Sequence, residues 1–134
     1  MLRLNRTTEY GLIALKHMGA DGAKLVTSAR EVSETYGLPF EITAKTLQRL
    51  KDSGLIVPVH GARGGYVLGR PLAEITFSEF IQKMEGPQAV VECCEGAGCQ
   101  LGGKCGIQPA MSVINQKMLA VLETVRLSEL EMPA

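Results

Sequence analysis

A mainly helical fold closed by one small β-hairpin is what three features of this 134-residue chain predict. Apolar residues recur at helical spacing through the first fifty positions and again near the C-terminus. Two short β-rich runs flank the glycine turn Gly61-Ala-Arg-Gly-Gly65. Only 4% of residues are aromatic and there is no Trp, so the core must be aliphatic, which suits short packed helices. With 46% hydrophobic residues, a single small domain has enough material for that core.

Tyr10, Ile13, Ala14 and His17 share one helical face, which predicts a first helix from about Thr7 to Met18, capped by Thr7 or Thr8. Asp21-Gly22 then turns the chain. Ser28-Ala-Arg-Glu31 is a capping box: the serine oxygen accepts from a free first-turn N–H and the glutamate reaches back. A second helix therefore runs to about Tyr36 and stops at Gly37. Leu38-Pro39 makes a tight connection, with Pro39 set for a helix start, and Ile42, Leu47 and Leu50 are expected to bury one side of a third helix ending at Gly54. Helix, glycine turn, helix is the helix-turn-helix pattern. Leu55-Ile-Val-Pro-Val-His60 and Tyr66-Val-Leu68 read as the two strands of a hairpin wing with Arg63 at its tip. The assembly is thus a winged helix-turn-helix, whose third helix can enter the major groove of duplex DNA while the wing reaches a phosphate or the minor groove. Thr43, Lys45, Thr46 and Arg49, with Glu41, are expected on the solvent side of that helix. Thr43 and Lys45 are the choices for base edges, and Arg49, Arg63 and the neighbouring His60 for the backbone.

Thr76-Phe-Ser-Glu79 is a second capping box, opening a short helix through Phe80, Ile81 and Met84 that Gly86-Pro87 ends. Beyond it, Pro109 suits the first turn of a last helix in which Ile107, Met111, Ile114, Met118, Val121 and Val125 alternate steps of four and three. That is a coiled-coil seam, and a symmetric homodimer is the expected way to cover it. The chain divides accordingly into a winged helix-turn-helix DNA-binding domain over 1–88 and a cysteine loop with a dimerisation helix over 89–134. Charge divides with it: residues 1–70 hold ten Lys/Arg against six Asp/Glu, and residues 71–134 hold four against eight. A basic half joined to an acidic half suits a polyanion binder attached to a sensing part.

The loop carries the most distinctive spacing. Cys93, Cys99 and Cys105 each stand six apart within VECCEGAGCQLGGKCGIQ. A structural zinc site normally uses paired ligands two residues apart, and no such pair exists here. An iron–sulfur cluster is larger and prefers thiolates delivered by a loop that wraps it, for which the intervening glycines are suited. Zinc in an irregular site and a metal-free thiol switch remain as other uses of these cysteines. Met1-Leu-Arg-Leu-Asn-Arg leads straight into a helical pattern without an apolar signal segment, so the reducing cytoplasm, where structural disulfides are rare, is the expected compartment. Enzyme classes find little support: there is no P-loop, dinucleotide fingerprint or nucleophile elbow, and His17 and His60 are the only histidines.

The opening Met1-Leu-Arg-Leu-Asn-Arg-Thr-Thr-Glu-Tyr-Gly, the wing His60-Gly-Ala-Arg-Gly-Gly-Tyr-Val-Leu-Gly-Arg70, Glu85-Gly-Pro87, the CxxxxxCxxxxxC loop and Leu127-Ser-Glu-Leu130 together resemble the IscR and NsrR group of regulators, the Rrf-two family, over essentially the whole chain. Within it the opening and wing look most like regulators of Suf-type cluster assembly. The resemblance implies a homodimeric transcription factor, with a long helix of each subunit crossing its partner, whose operator affinity follows a bound 2Fe-2S or 4Fe-4S cluster. It implies repression of cluster-assembly genes, with nitric oxide or redox sensing as the alternative role. It assigns Cys93, Cys99 and Cys105 as ligands. IscR-like members place a histidine three residues past the last cysteine, where this chain has Gln108; NsrR-like members use a carboxylate near the start of the first helix, donated by the other subunit. Glu9 corresponds to that carboxylate and is the chosen fourth ligand, with Cys94 as its rival.

Overall fold

The structure, a computed structural model, describes residues 4–20, 26–62, 64–88 and 106–130. Five α-helices and a two-stranded antiparallel hairpin are found among them: α1 (Arg6–Gly19), α2 (Ala29–Tyr36), α3 (Phe40–Asp52), β1 (Ile56–Val59), β2 (Gly65–Leu68), α4 (Phe77–Glu85) and α5 (Gln108–Thr124). Short 3-10 turns follow β2 at Leu72–Glu74 and α5 at Leu127–Glu129.

The helix ends are set by local chemistry. Asn5 caps α1, its Oδ1 accepting from the Thr8 N–H at 2.8 Å and the Thr8 hydroxyl at 2.9 Å. The cap thus falls before the expected Thr7 or Thr8, and Thr8 is buried with its hydroxyl satisfied. Ser28 and Thr76 each accept from the N–H three residues on, at 3.1 Å, as both capping boxes predict. Gly37 ends α2 at φ 66°, a left-handed conformation that glycine adopts without a Cβ penalty.

The wing pairs Ile56 with Leu68 and Val59 with Gly65. A third short element joins it: Thr27 and Tyr66 exchange two backbone hydrogen bonds, both 2.8 Å, so the segment before α2 forms a bridge to β2. A Cβ on Gly65 would lie 2.6 Å from the Thr27 carbonyl oxygen, so this close approach excludes any larger residue there unless the backbone shifts. The wing is anchored at its far end by Arg70, whose guanidinium bonds the Glu79 carboxylate and, at 2.8 Å, the Glu74 carbonyl oxygen. The Glu79 hydrogen bond is the main reason that Arg70 is held more firmly protonated than an ordinary arginine.

Ala14, Leu15, Leu47, Leu50, Leu55, Ile75, Phe80 and Ile81 are among the buried apolar residues that fill one core. Leu127 is also fully buried in it. The chain leaves α5 at Val125 in an extended conformation and returns to the body of the fold: Phe77 N–H donates to the Val125 carbonyl at 2.8 Å and Leu127 N–H to the Ile75 carbonyl at 2.9 Å. Lys16 Nζ donates to the Leu127 carbonyl at 3.0 Å. The stretch after α5 therefore shares the core of the first 88 residues, although the sequence assigns it to the C-terminal part. Val125, expected as the last member of the α5 seam, lies outside the helix. Along α5, Ile107, Ile114 and Val121, spaced by seven, are 63%, 48% and 62% exposed.

Candidate nucleic-acid interface

The α2–turn–α3 unit is braced on two sides. Leu38 N–H donates to the Ser33 carbonyl at 2.9 Å, and the Ser33 hydroxyl donates to the Leu38 carbonyl at 2.6 Å, closing the turn. His17 bridges α1 to α2, with Nε2 2.7 Å from a Glu31 carboxylate oxygen and Nδ1 2.9 Å from the Tyr36 hydroxyl. Its place is structural, on the inner side of the interface. Lys83 Nζ, from α4, donates to the Ser53 carbonyl at 2.8 Å and holds the C-terminal end of α3. The third helix is therefore presented by a fixed frame.

Which face it presents differs from the sequence expectation. Thr43 and Thr46, assigned to the solvent side, are each only 1% exposed. Their hydroxyls donate back to the Pro39 and Ile42 carbonyls at 2.8 and 2.7 Å, so burial leaves no polar atom unpaired and neither can reach a base. Conversely Ile42, assigned to the core, is 39% exposed, and Phe40 at the first position of α3 is 47% exposed. The helix buries 43, 46, 47 and 50, a proper i, i+3, i+4, i+7 stripe, and Ile42 falls one position, about 100°, off that stripe. Spacing alone could have revealed this, since Ile42, Leu47 and Leu50 make the poorer stripe.

Lys45 and Arg49 are exposed on α3, as the sequence predicts, and Gln48, which it passes over, is exposed between them. Neither Lys45 nor Arg49 has an ion pair among the described residues. Gln48 offers both a donor and an acceptor at the spacing of the two cations. From α2, the Arg30 guanidinium lies 5.4 Å from the centroid of the Phe40 ring, a cation–π contact, while its side chain stays 74% exposed. His60 is exposed at the end of β1. Arg63 lies outside the described residues.

Of the predicted metal ligands only Glu9 lies among the described residues. Cys93, Cys94, Cys99 and Cys105 lie outside the described residues. Glu9 is exposed in the first turn of α1, and its carboxylate has no hydrogen bond or ion pair among the described residues. Among the described residues no three His, Cys, Asp or Glu side chains come together, so a metal group depends on the cysteine segment for its donors. Asn5 N–H donates to the Glu85 carboxylate at 3.2 Å. The start of α1 is thus fastened to the last residue of α4, three residues before the segment that carries the cysteines. From there α1 runs against α3, close enough that a Cβ on Gly11 would lie 3.5 Å from the Thr46 methyl.

The arrangement of helices and wing is shared with known regulators. CymR, the global cysteine regulator of B. subtilis, is 25% identical to this chain with a TM-score of 0.73, over 96% of this chain and 95% of its own. IscR of T. potens is 20% identical with a TM-score of 0.69, over 95% and 84%. A transcriptional regulator of Listeria innocua is 22% identical with a TM-score of 0.76, over 94% and 83%. The model of the Rrf2 (Rrf-two) family, described as "Iron-dependent Transcriptional regulator", matches residues 4–132. No helix among the described residues is long and apolar enough to cross a membrane. The chain belongs to the Rrf2 family, whose members are DNA-binding transcription regulators and not enzymes.

Proposed function

We propose that this regulator is a cytoplasmic homodimer whose operator affinity is governed by an iron–sulfur cluster held by Cys93, Cys99, Cys105 and Glu9, and that it represses cluster-assembly genes. The observation that carries the reading is the even CxxxxxCxxxxxC spacing in a glycine-rich segment of a chain whose family is described as iron-dependent. The donor set suits iron: three soft thiolates, with an exposed carboxylate that no other side chain occupies among the described residues. A bound cluster would supply a redox- and ligand-sensitive crosslink among those donors. Everything downstream is work for the protein's own residues. Asn5 and Glu85 couple the start of α1 to the root of the cysteine segment, and α1 positions α3, so a change at that segment is felt by the recognition helix. The exposed row Ile107, Ile114 and Val121 supports a two-fold partner along α5, which would set the spacing between two recognition helices.

Glu9→Ala should leave the fold and dimer intact, because the side chain is exposed, yet shorten the lifetime of the iron–sulfur absorption in air. An unchanged lifetime would remove Glu9 from the ligand set and leave Cys94 as the fourth donor. On the DNA side, Arg49→Ala tests phosphate contact: it should weaken binding to all sequences alike and lower the slope of log affinity against log salt by about one, whereas Lys45→Ala, at a base edge, should relax the preference at one operator position. An equal slope in Arg49→Ala and wild type would place that cation off the backbone.

A second reading has its own support, the likeness to CymR, described as a global cysteine regulator, at the highest identity among the relatives compared above. In that reading the cysteines act as thiols or the protein answers to a small sulfur compound, and DNA binding survives without iron.

A further inference from the structure

The inverted face of α3 is unexplained by folding. The helix buries two threonines and exposes a phenylalanine and an isoleucine in the same two turns. Stability alone favours the opposite arrangement, since burying Phe and Ile removes far more apolar surface from water than burying Thr. These residues also carry no hydrogen-bonding atoms, so they can serve neither phosphate nor the polar edges of bases. In the major groove one group matches them, the 5-methyl of thymine, which apolar side chains contact directly. From this we infer that Phe40 and Ile42 read thymine methyl groups at the operator, a specificity role that rests on the DNA-binding reading above and goes beyond it.

The surroundings favour duplex DNA as the occupant. Phe40 opens the recognition helix, the end that enters the groove first in helix-turn-helix proteins. Arg30 lies over its ring at 5.4 Å, and its guanidinium, 3.8 Å from the Glu34 carboxylate in an exposed ion pair, stays 74% exposed and within reach of a phosphate that displaces that weak pair. Lys45 and Arg49 extend positive charge along the same helix. Glu41, also exposed beside Phe40, is the one acid in the first turn, and a carboxylate in the groove accepts from the cytosine amino group, so the same turn would sort pyrimidines by methyl and by amine.

The test uses the full-length chain and a duplex enriched by it from a randomised pool. Each thymine of the enriched half-site is then replaced by deoxyuridine, which deletes the methyl and keeps the base pair. Wild type should lose about four-fold in affinity at one or two positions, the worth of one methyl removed from water. The double variant Phe40→Ala, Ile42→Ala should bind the thymine and deoxyuridine duplexes equally, with unchanged circular dichroism and an unchanged salt slope. Wild-type indifference to deoxyuridine overturns the inference without touching the DNA-binding reading, as does a double variant that keeps the methyl preference. Failure to enrich any duplex overturns both together.

Discussion

Phe80→Ala is expected to lower folding stability by about 3–5 kcal/mol, the usual cost of emptying a large buried aromatic site. Small domains have only about 5–15 kcal/mol in total, so the variant should be near the edge of folding at ambient temperature. Phe80 is fully buried where α4 meets α1. Its ring stacks on Phe77 at 6.3 Å between centroids, and its Cε1 would be 3.6 Å from a methyl on Gly11 of α1. Neighbours cannot collapse into the space without moving α1 against α4, the pair that the Asn5–Glu85 hydrogen bond also fastens. Urea unfolding of the wild type and the variant measures the difference; a loss below about 1 kcal/mol would mean that α4 is not the keystone described.

Cys99→Ser should abolish iron and sulfide binding while leaving the fold unchanged. Serine is isosteric but its hydroxyl is a hard, weakly acidic donor where soft thiolate is required, and Cys99 is the middle member of the evenly spaced set. Protein purified without oxygen from cells expressing wild type should be brown, and the variant colourless with the same thermal midpoint. Iron and sulfide retained by the variant would transfer the role to Cys94 or dismiss a three-thiolate site.

Much of the fold is legible in the sequence because its punctuation is local. The serine and threonine boxes, Gly37, Gly86 and the glycine turn of the wing each act through bonds within a few residues, and the structure keeps all of them. Two features depend on distant partners and are not legible that way. Val125–Leu130 contains no strong signal of its own, yet its backbone finds Ile75 and Phe77 fifty residues earlier and buries Leu127. The Thr27–Tyr66 bridge is equally non-local. On α3 the obstacle is chemical. A hydrophobicity rule sends Ile42 inward and threonines outward, whereas a threonine whose hydroxyl bonds its own helix carbonyl can be buried cheaply. Hence Lys45 and Arg49 are exposed on α3 as expected, Thr43 and Thr46 are buried, and Phe40, Ile42 and Gln48 are exposed beside the two cations.

We propose that the state of the cysteine segment sets operator affinity. Titrating one anaerobic preparation against its enriched duplex, before and after chelation of iron, tests it in a single comparison. A change of about 5- to 150-fold is expected between the two states, the ordinary range of coupling between sites, accompanied by loss of the visible absorption and of stoichiometric iron and sulfide. Equal affinity in both states, or an iron-free preparation that resists reconstitution and still binds DNA, would contradict it and give the cysteines to thiol chemistry instead.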